Sequence, residues 1–291
     1  MSDSGNRMAV VMGATGLQGG SVARQLLAGG WRVRVVTRNP QSEQARTLTG
    51  LGAEVVRGDM ADRDLLLPLL EGAYGVYSVQ NPVLSGVEGE IQQGKNVAAA
   101  ARQAGVRHLV YASTGTGFKG TGIPSWESKL VVEDEMKALG LPLTILRPVA
   151  FMEIMTEKKF FPPVSAWHVM PRLMGSATKI GWVAVADLGV VAARVFADPQ
   201  QFIGRELRLV SNVQSIDDCR ALYQEVLGRK PPRWPIPAWM FARYGFVGRD
   251  LSRMWRWLGT NTIDLDAGPM RAIHPAALSV RAWLEGQQQE S

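Results

Sequence analysis

The stretch Met8-Ala-Val-Val-Met-Gly-Ala-Thr-Gly-Leu-Gln-Gly-Gly-Ser-Val-Ala-Arg-Gln-Leu-Leu constrains the fold more than any other part of the chain. Met8 to Met12 is an apolar run of strand length, rich enough in Val to be buried on both faces. Gly13, Gly16 and Gly19 follow at once, and Leu17, Val22, Leu26 and Leu27 then take up helical spacing. Strand, glycine turn and helix in this order form the setting in which such a glycine pattern holds a dinucleotide. Gly13 permits the tight exit from the strand, and Gly16 lets the backbone approach a pyrophosphate with no Cβ in the way. Gly19 lets the helix pack close to the sheet. The helix then offers its unpaired N–H groups and the positive end of its dipole to the phosphates.

Five further strands follow with helices between them. Trp31 to Thr37 reads as the second, stopped by Arg38-Asn39-Pro40, since proline cannot continue a ladder. An acidic residue about twenty positions after the glycine turn would accept bonds from the ribose hydroxyls of NAD. Arg38 stands there instead, and a guanidinium can fork onto a 2′-phosphate, which argues for NADP(H). A helix over Glu43 to Leu51 leads to a third strand, Glu54 to Arg57. Asp59, just past its end, has two readings: an acceptor for the adenine amino group with Met60 against the ring, or the cap of a helix over Arg63 to Leu70. Ala73 to Val79 makes the fourth strand, whose exit, Gln80-Asn81-Pro82, faces the nicotinamide half of the cofactor. A loop through Gly86 and Gly89 then precedes a helix from Glu90 to Ala104. Arg107 to Ser113 is the fifth strand, followed by a flexible Gly-rich turn, Thr114 to Gly122, and a helix from Pro124 to Leu139. Leu143 to Leu146 is the sixth, closed by Arg147-Pro148. Parallel neighbours need crossover helices, so the pattern predicts an α/β fold, a Rossmann-type doubly wound parallel sheet.

Past residue 150 the alternation fails. Pro162, Pro163 and Pro171 enforce irregular backbone, Gly181 to Val185 reads as a strand, and Asp187 as the N-cap of a helix to Ala197. Arg205 to Val210 is a short strand and Ile216 to Leu227 a helix. Trp239, Phe241, Tyr244, Trp255 and Trp257 have the spacing of helix core. The expected organisation is an arm over 1–7, a cofactor-binding domain over 8–150, and a smaller, mostly helical lobe over 151–291, interleaved with the sheet edge. Ligand is then expected between the lobes.

Composition narrows the function. No run of about eighteen apolar residues exists, so no membrane span is expected. The N-terminus lacks the apolar core of a signal peptide, and the single Cys219 fits a reducing, cytoplasmic compartment. The three histidines have no metal-ligand spacing, so no metal site is expected. A net charge of +6 from dispersed arginines, without a basic run, gives no reason to expect nucleic acid. An aromatic, Arg-rich tail is a candidate cover for a subunit contact in a homodimer.

Gly-Ala-Thr-Gly-Leu-Gln-Gly-Gly at 13–20, Val-Val-Thr-Arg-Asn-Pro at 35–40 and Arg-Pro-Val-Ala-Phe-Met-Glu at 147–153 resemble the NmrA-like branch of the atypical short-chain dehydrogenases. Val183-Ala-Val-Ala-Asp-Leu-Gly, Tyr244-Gly-Phe-Val-Gly-Arg-Asp-Leu and Leu278-Ser-Val-Arg-Ala-Trp-Leu extend the likeness to NmrA-like proteins described as NADP(H) redox sensors. The resemblance implies that Gly13, Ala14, Thr15, Gly16, Leu17 and Gln18 form the pyrophosphate turn. Arg38, with Asn39, takes the 2′-phosphate, and Asp59 with Met60 the adenine. Gln80, Asn81 and Pro82 hold the fourth-strand exit. Lys129 reaches the nicotinamide ribose, and Phe151, Met152, Glu153 and Ile154 border the nicotinamide. Ile154 departs from the Asn usual in this branch. Ordinary short-chain dehydrogenases carry a catalytic Tyr four residues before this lysine. Here that position is Ser125. Ser113 matches their strand serine and is, with Lys129, the candidate catalytic set. Neither Ser113 nor Ser125 is acid enough to replace a phenol. On local spacing alone, Lys129 is instead a solvated partner of Glu133 one turn on, and Tyr77 and Tyr111 are strand core.

Two functions follow. The missing tyrosine and the tail favour an NADP(H)-binding redox-sensing regulator whose conformation or protein partner depends on cofactor occupancy. The other is an NADPH-dependent reductase of quinones, dyes or activated double bonds, small hydrophobic acceptors that take their proton from water or Lys129. Lys129 itself is expected to repel the oxidised, cationic nicotinamide and so to favour NADPH.

Overall fold

The sheet grows outward from β1 (Met8–Met12), all five residues of which are buried. The computed structural model describes residues 7–156, 165–232 and 236–289. β2 (Arg32–Thr37) and β4 (Gly75–Ser78) flank β1, both parallel to it. With β3 (Glu54–Arg57), β5 (His108–Ala112), β6 (Leu143–Pro148) and β9 (Glu206–Leu209), the order is β3-β2-β1-β4-β5-β6-β9. The order reverses between β1 and β4, which makes the carboxyl ends of these two strands the switch point where doubly wound sheets bind ligands. The expected Rossmann-type sheet is therefore present, with β9 added from the stretch read as Arg205 to Val210.

Its helices are α1 (Leu17–Ala28), α2 (Glu43–Gly50), α3 (Arg63–Leu70), α4 (Pro82–Gln103), α5 (Pro124–Ala138), α7 (Val185–Ala197) and the short α8 (Pro199–Phe202). α1 packs against α7. A core of Val10, Met12, Val76, Leu109 and Tyr111 from the strands meets Val97, Ala98 and Ala101 of α4 and Val132 and Met136 of α5. Two helix starts differ from expectation. α4 begins at Pro82, because Asn81 caps it by accepting from the Val83 N–H at 2.9 Å, and Gly86 (φ 75°) then breaks it without ending it. Asp187 lies inside the first turn of α7 rather than capping it.

The chain packs as two compact units, each discontinuous in sequence. One comprises residues up to Gly117, Ser128–Arg147 and Val185–Leu207. The other comprises Phe118–Glu127, Pro148–Ala184 and the chain from Arg208 on. The second holds a small sheet that the sequence reading did not foresee. β8 (Ile180–Val183) lies between β7 (Ala150–Phe151), parallel to it, and β10 (Asn212–Gln214), antiparallel. Around it are a 3₁₀ turn at Met152–Met155, a π turn at Ser165–Val169, α6 (Met170–Met174) and α9 (Ile216–Leu227). α10 (Ala238–Ala242), α11 (Gly245–Thr260), α12 (Gly268–Ile273) and α13 (Val280–Gln289) complete it.

Phe241 stacks on Trp255 at 5.5 Å and Trp257 meets Trp126 edge-on at 5.3 Å, as core aromatics do. Trp239 and Tyr244, 66% and 73% exposed, do not join them: Trp239 lies on the short α10 two residues before the buried Phe241, and Tyr244 in the junction that starts α11. Pro162, Pro163 and residues 1–6 of the expected arm lie outside the described residues. Among the described residues no helix is long and apolar enough to cross a membrane.

Candidate functional site

The glycine turn has the predicted shape. Gly13 leaves β1 at φ 66°, and the Gly16 N–H returns to the Gly13 carbonyl at 3.0 Å. A Cβ on Gly19 would sit 2.5 Å from that same carbonyl, so only glycine lets α1 begin this close to the strand exit. Ala14 is buried beneath the turn, Thr15 and Leu17 are partly covered, and Gly16 is exposed. The first turn of α1 has no acidic residue, and Gly16 provides no side-chain cap. Its N–H groups and positive dipole end are thus left for an anion. The Gln18 Oε1 beside them is buried with no hydrogen-bond partner among the described residues.

At the exit of β2, the Asn39 side chain accepts from the Gln41 N–H at 3.1 Å and shapes the loop that presents Arg38. Arg38 is exposed, and no hydrogen bond or ion pair engages it among the described residues. At the exit of β3, Asp62 rather than Asp59 caps α3, accepting from the N–H groups of Asp64 (3.1 Å) and Leu65 (3.3 Å). The Asp59 side chain accepts from the Ala61 N–H at 3.0 Å and its carbonyl from the Asp62 N–H at 3.1 Å, which turns the backbone locally and closes its capping alternative. Asn96 of α4, which sequence reasoning missed, donates to the carbonyls of Met60 (3.0 Å) and Ala61 (3.1 Å) and fixes this loop.

The exit of β4 meets α4 and α5. The Gln80 amide donates to Ser78 Oγ at 2.9 Å and to the Met60 sulfur at 3.5 Å, while its Oε1 is buried with no hydrogen-bond partner among the described residues. Asn81 and Pro82 are the cap and first residue of α4. Lys129 Nζ donates to the Gln80 carbonyl at 3.2 Å and pairs with Glu90 Oε1 at 2.7 Å. Glu90 is fully buried and also accepts from Ser128 Oγ. One contact explains this meeting. Gly94 and Val132 lie one turn after Glu90 and Ser128, and a Cβ on Gly94 would come within 2.5 Å of the Val132 methyls. This close approach of α4 and α5 lets Glu90 reach the next helix. Glu90 was not singled out in the sequence, where an acid at a helix start reads as a dipole partner.

Lys129 is therefore not the solvated partner of Glu133. Glu133 is bound by Arg147 at 2.7 and 2.8 Å and accepts from the Ser113 hydroxyl. Ser113, Glu133 and Arg147 are all buried. Arg147 also donates to the Thr114 carbonyl at 3.3 Å, so the turn over 114–122 starts packed rather than loose, with Thr114 and Thr116 buried. Tyr77 and Tyr111 are strand core, as expected, and burial pushes both phenols well above their ordinary range. Glu90 and Glu133 push Tyr111 further in the same direction.

In the second unit, Ser125 donates its N–H (3.0 Å) and its hydroxyl (2.5 Å) to the Asp250 carboxylate. Burial holds the Asp250 carboxyl above the usual range. Phe151 pairs with Val183 across β7 and β8, and Met152 and Ile154 are buried in the turn that follows, with Glu153 half-buried.

A model of the NmrA-like family matches residues 6–280. The chain belongs to the NmrA-like family. A relative from Aspergillus sp. (strain MF297-2), named NmrA-like family domain-containing oxidoreductase notA, is 39% identical over 269 residues, 82% of this chain and 78% of that protein. Among solved structures, the Citrobacter sp. triphenylmethane reductase complexed with NADP(H) superimposes with a TM-score of 0.78 at 21% identity, covering 97% of this chain and 99% of that one. NmrA, a negative transcriptional regulator solved in complexes with NADP and with NAD, gives 0.75 in each at 19% identity, covering 96% of this chain and 95% of that one. At these identities the superpositions establish the shared NmrA-like fold.

Proposed function

We propose that this NmrA-like chain binds NADP(H) along the β1–β4 edge and reduces small hydrophobic acceptors, such as quinones, dyes or activated double bonds, at the expense of NADPH. The cradle supports the cofactor. The bare first turn of α1 suits a pyrophosphate, the exposed and unengaged Arg38 suits a 2′-phosphate, and the unpartnered oxygens of Gln18 and Gln80 suit ligand donors. Asp59 and Met60 flank the adenine in this reading. A reduced nicotinamide bound in this cradle supplies hydride.

The protein's own proton chemistry restricts what can receive it. Ser125 stands where a dehydrogenase phenol stands, and its hydroxyl is committed to Asp250. Ser113 is committed to Glu133, and the Lys129 ammonium to Glu90 and Gln80. With every such group engaged, the chain is suited to acceptors that are protonated by water after hydride arrives. This observation carries the reading, and the oxidoreductase name of the 39%-identical relative supports it over a purely regulatory one. The redox-sensing reading keeps one observation in its favour, because a cradle with no proton donor binds cofactor equally well without turnover.

NADPH oxidation measured against quinones, triarylmethane dyes, enones and simple ketones separates these functions. The expected result is turnover with the first three classes and none with ketones. Tight NADPH binding without turnover of any acceptor leaves the regulator.

A further inference from the structure

Lys129 reaches the carbonyl of Gln80, the last residue before α4 at the exit of β4. In a sheet whose order reverses between β1 and β4, the β1 side takes the first nucleotide and the β4 side the second. In the NADP(H) reading, on which this inference rests, the ammonium therefore stands on the nicotinamide half. An isolated cation there would disfavour the oxidised ring, which carries a positive charge, and leave the neutral reduced ring unaffected. Lys129 is not isolated. Glu90, fully buried, lies 2.7 Å from Nζ, and Ser128 holds its second oxygen.

We propose that Glu90 sets the redox preference of the site: its carboxylate cancels the Lys129 charge, so that the oxidised cofactor is retained alongside the reduced one. Glu90 is a positioning and charge-balancing residue that acts through Lys129. The local geometry is suited to this. In surroundings of low dielectric a charge is felt strongly, and a close ion pair reduces that field to a dipole. Gly94 makes the arrangement dependent on helix packing, since any side chain there separates α4 from α5.

Calorimetric titration of NADP⁺ and NADPH into the full chain tests this without relying on turnover. Glu90→Gln keeps the shape and a carbonyl oxygen for Lys129 but leaves the ammonium uncompensated. It should shift the ratio of the two dissociation constants toward NADPH by about tenfold. Lys129→Met should move the ratio the other way, and the double variant should return to within about twofold of the unaltered protein. Thermal melts run alongside confirm folding, and if Glu90→Gln does not fold, the opposite shift in Lys129→Met still reports the charge. Equal weakening of both forms in Glu90→Gln, with an unchanged ratio, overturns the proposal and makes Glu90 merely structural. Binding of neither form by the unaltered protein overturns the NADP(H) reading together with it.

Discussion

Arg147 bridges two carboxylates in very different surroundings. Glu133 is 2% exposed and meets the guanidinium through two parallel bonds, whereas the Glu206 side chain is 43% exposed. Removing a buried charge strands its partner, while an exposed partner is replaced by water. Glu133→Gln should therefore lower stability by about 3 kcal/mol and Glu206→Gln by no more than about 1 kcal/mol. Urea melts of both variants measure this, and equal losses would show that Arg147 is solvated. The same residues show where reading by local spacing stops. Lys129 and Glu133 are one turn apart on α5, but Glu133 is drawn to Arg147 from β6 and Lys129 to Glu90 from α4. Both partners are set by tertiary packing, which an interval of four residues does not encode. The position of Arg38 directly after the second strand was legible, because a chain-local pattern fixes where that strand ends.

Among the elements, α9 is one whose ends the sequence located, at Ile216 and Leu227, as it did those of α3 at Arg63 and Leu70. Ser215 and Asp218 cap α9 reciprocally, a signal contained in four consecutive residues. Hydrogen bonds from Lys179 and then Ser215 hold the Asp218 carboxyl down from 3.8 to about 2. A depressed carboxyl stabilises the fold above its unfolded value and loses that contribution as pH falls toward the folded one. Asp218→Asn should thus destabilise by about 1 kcal/mol at neutral pH, the exposed Lys179 pair adding little. The gap from the unaltered protein should close between pH 4 and 2, as thermal melts across that range would show. A gap that persists at pH 2 would place its origin outside ionisation. α4 was less legible, since Gly86 and Gly89 read as loop while Asn81 and Pro82 had already started a helix. β10, three residues long, carries too little pattern to be read at all.

At the scale of the molecule, the strand–helix alternation contained the doubly wound sheet, and the β1–β4 switch point follows from its order. The composition of the two units was not readable, because each is assembled from separated segments. The central claim is that the β1–β4 edge is an NADP(H) site in which Arg38 reads the 2′-phosphate. Titration of NADPH and NADH into the unaltered protein and into Arg38→Ala tests it most directly. The account predicts much tighter binding of NADPH, with about 2 kcal/mol of the difference lost in Arg38→Ala and NADH affinity little changed. Equal affinity of the unaltered protein for the two cofactors would contradict it.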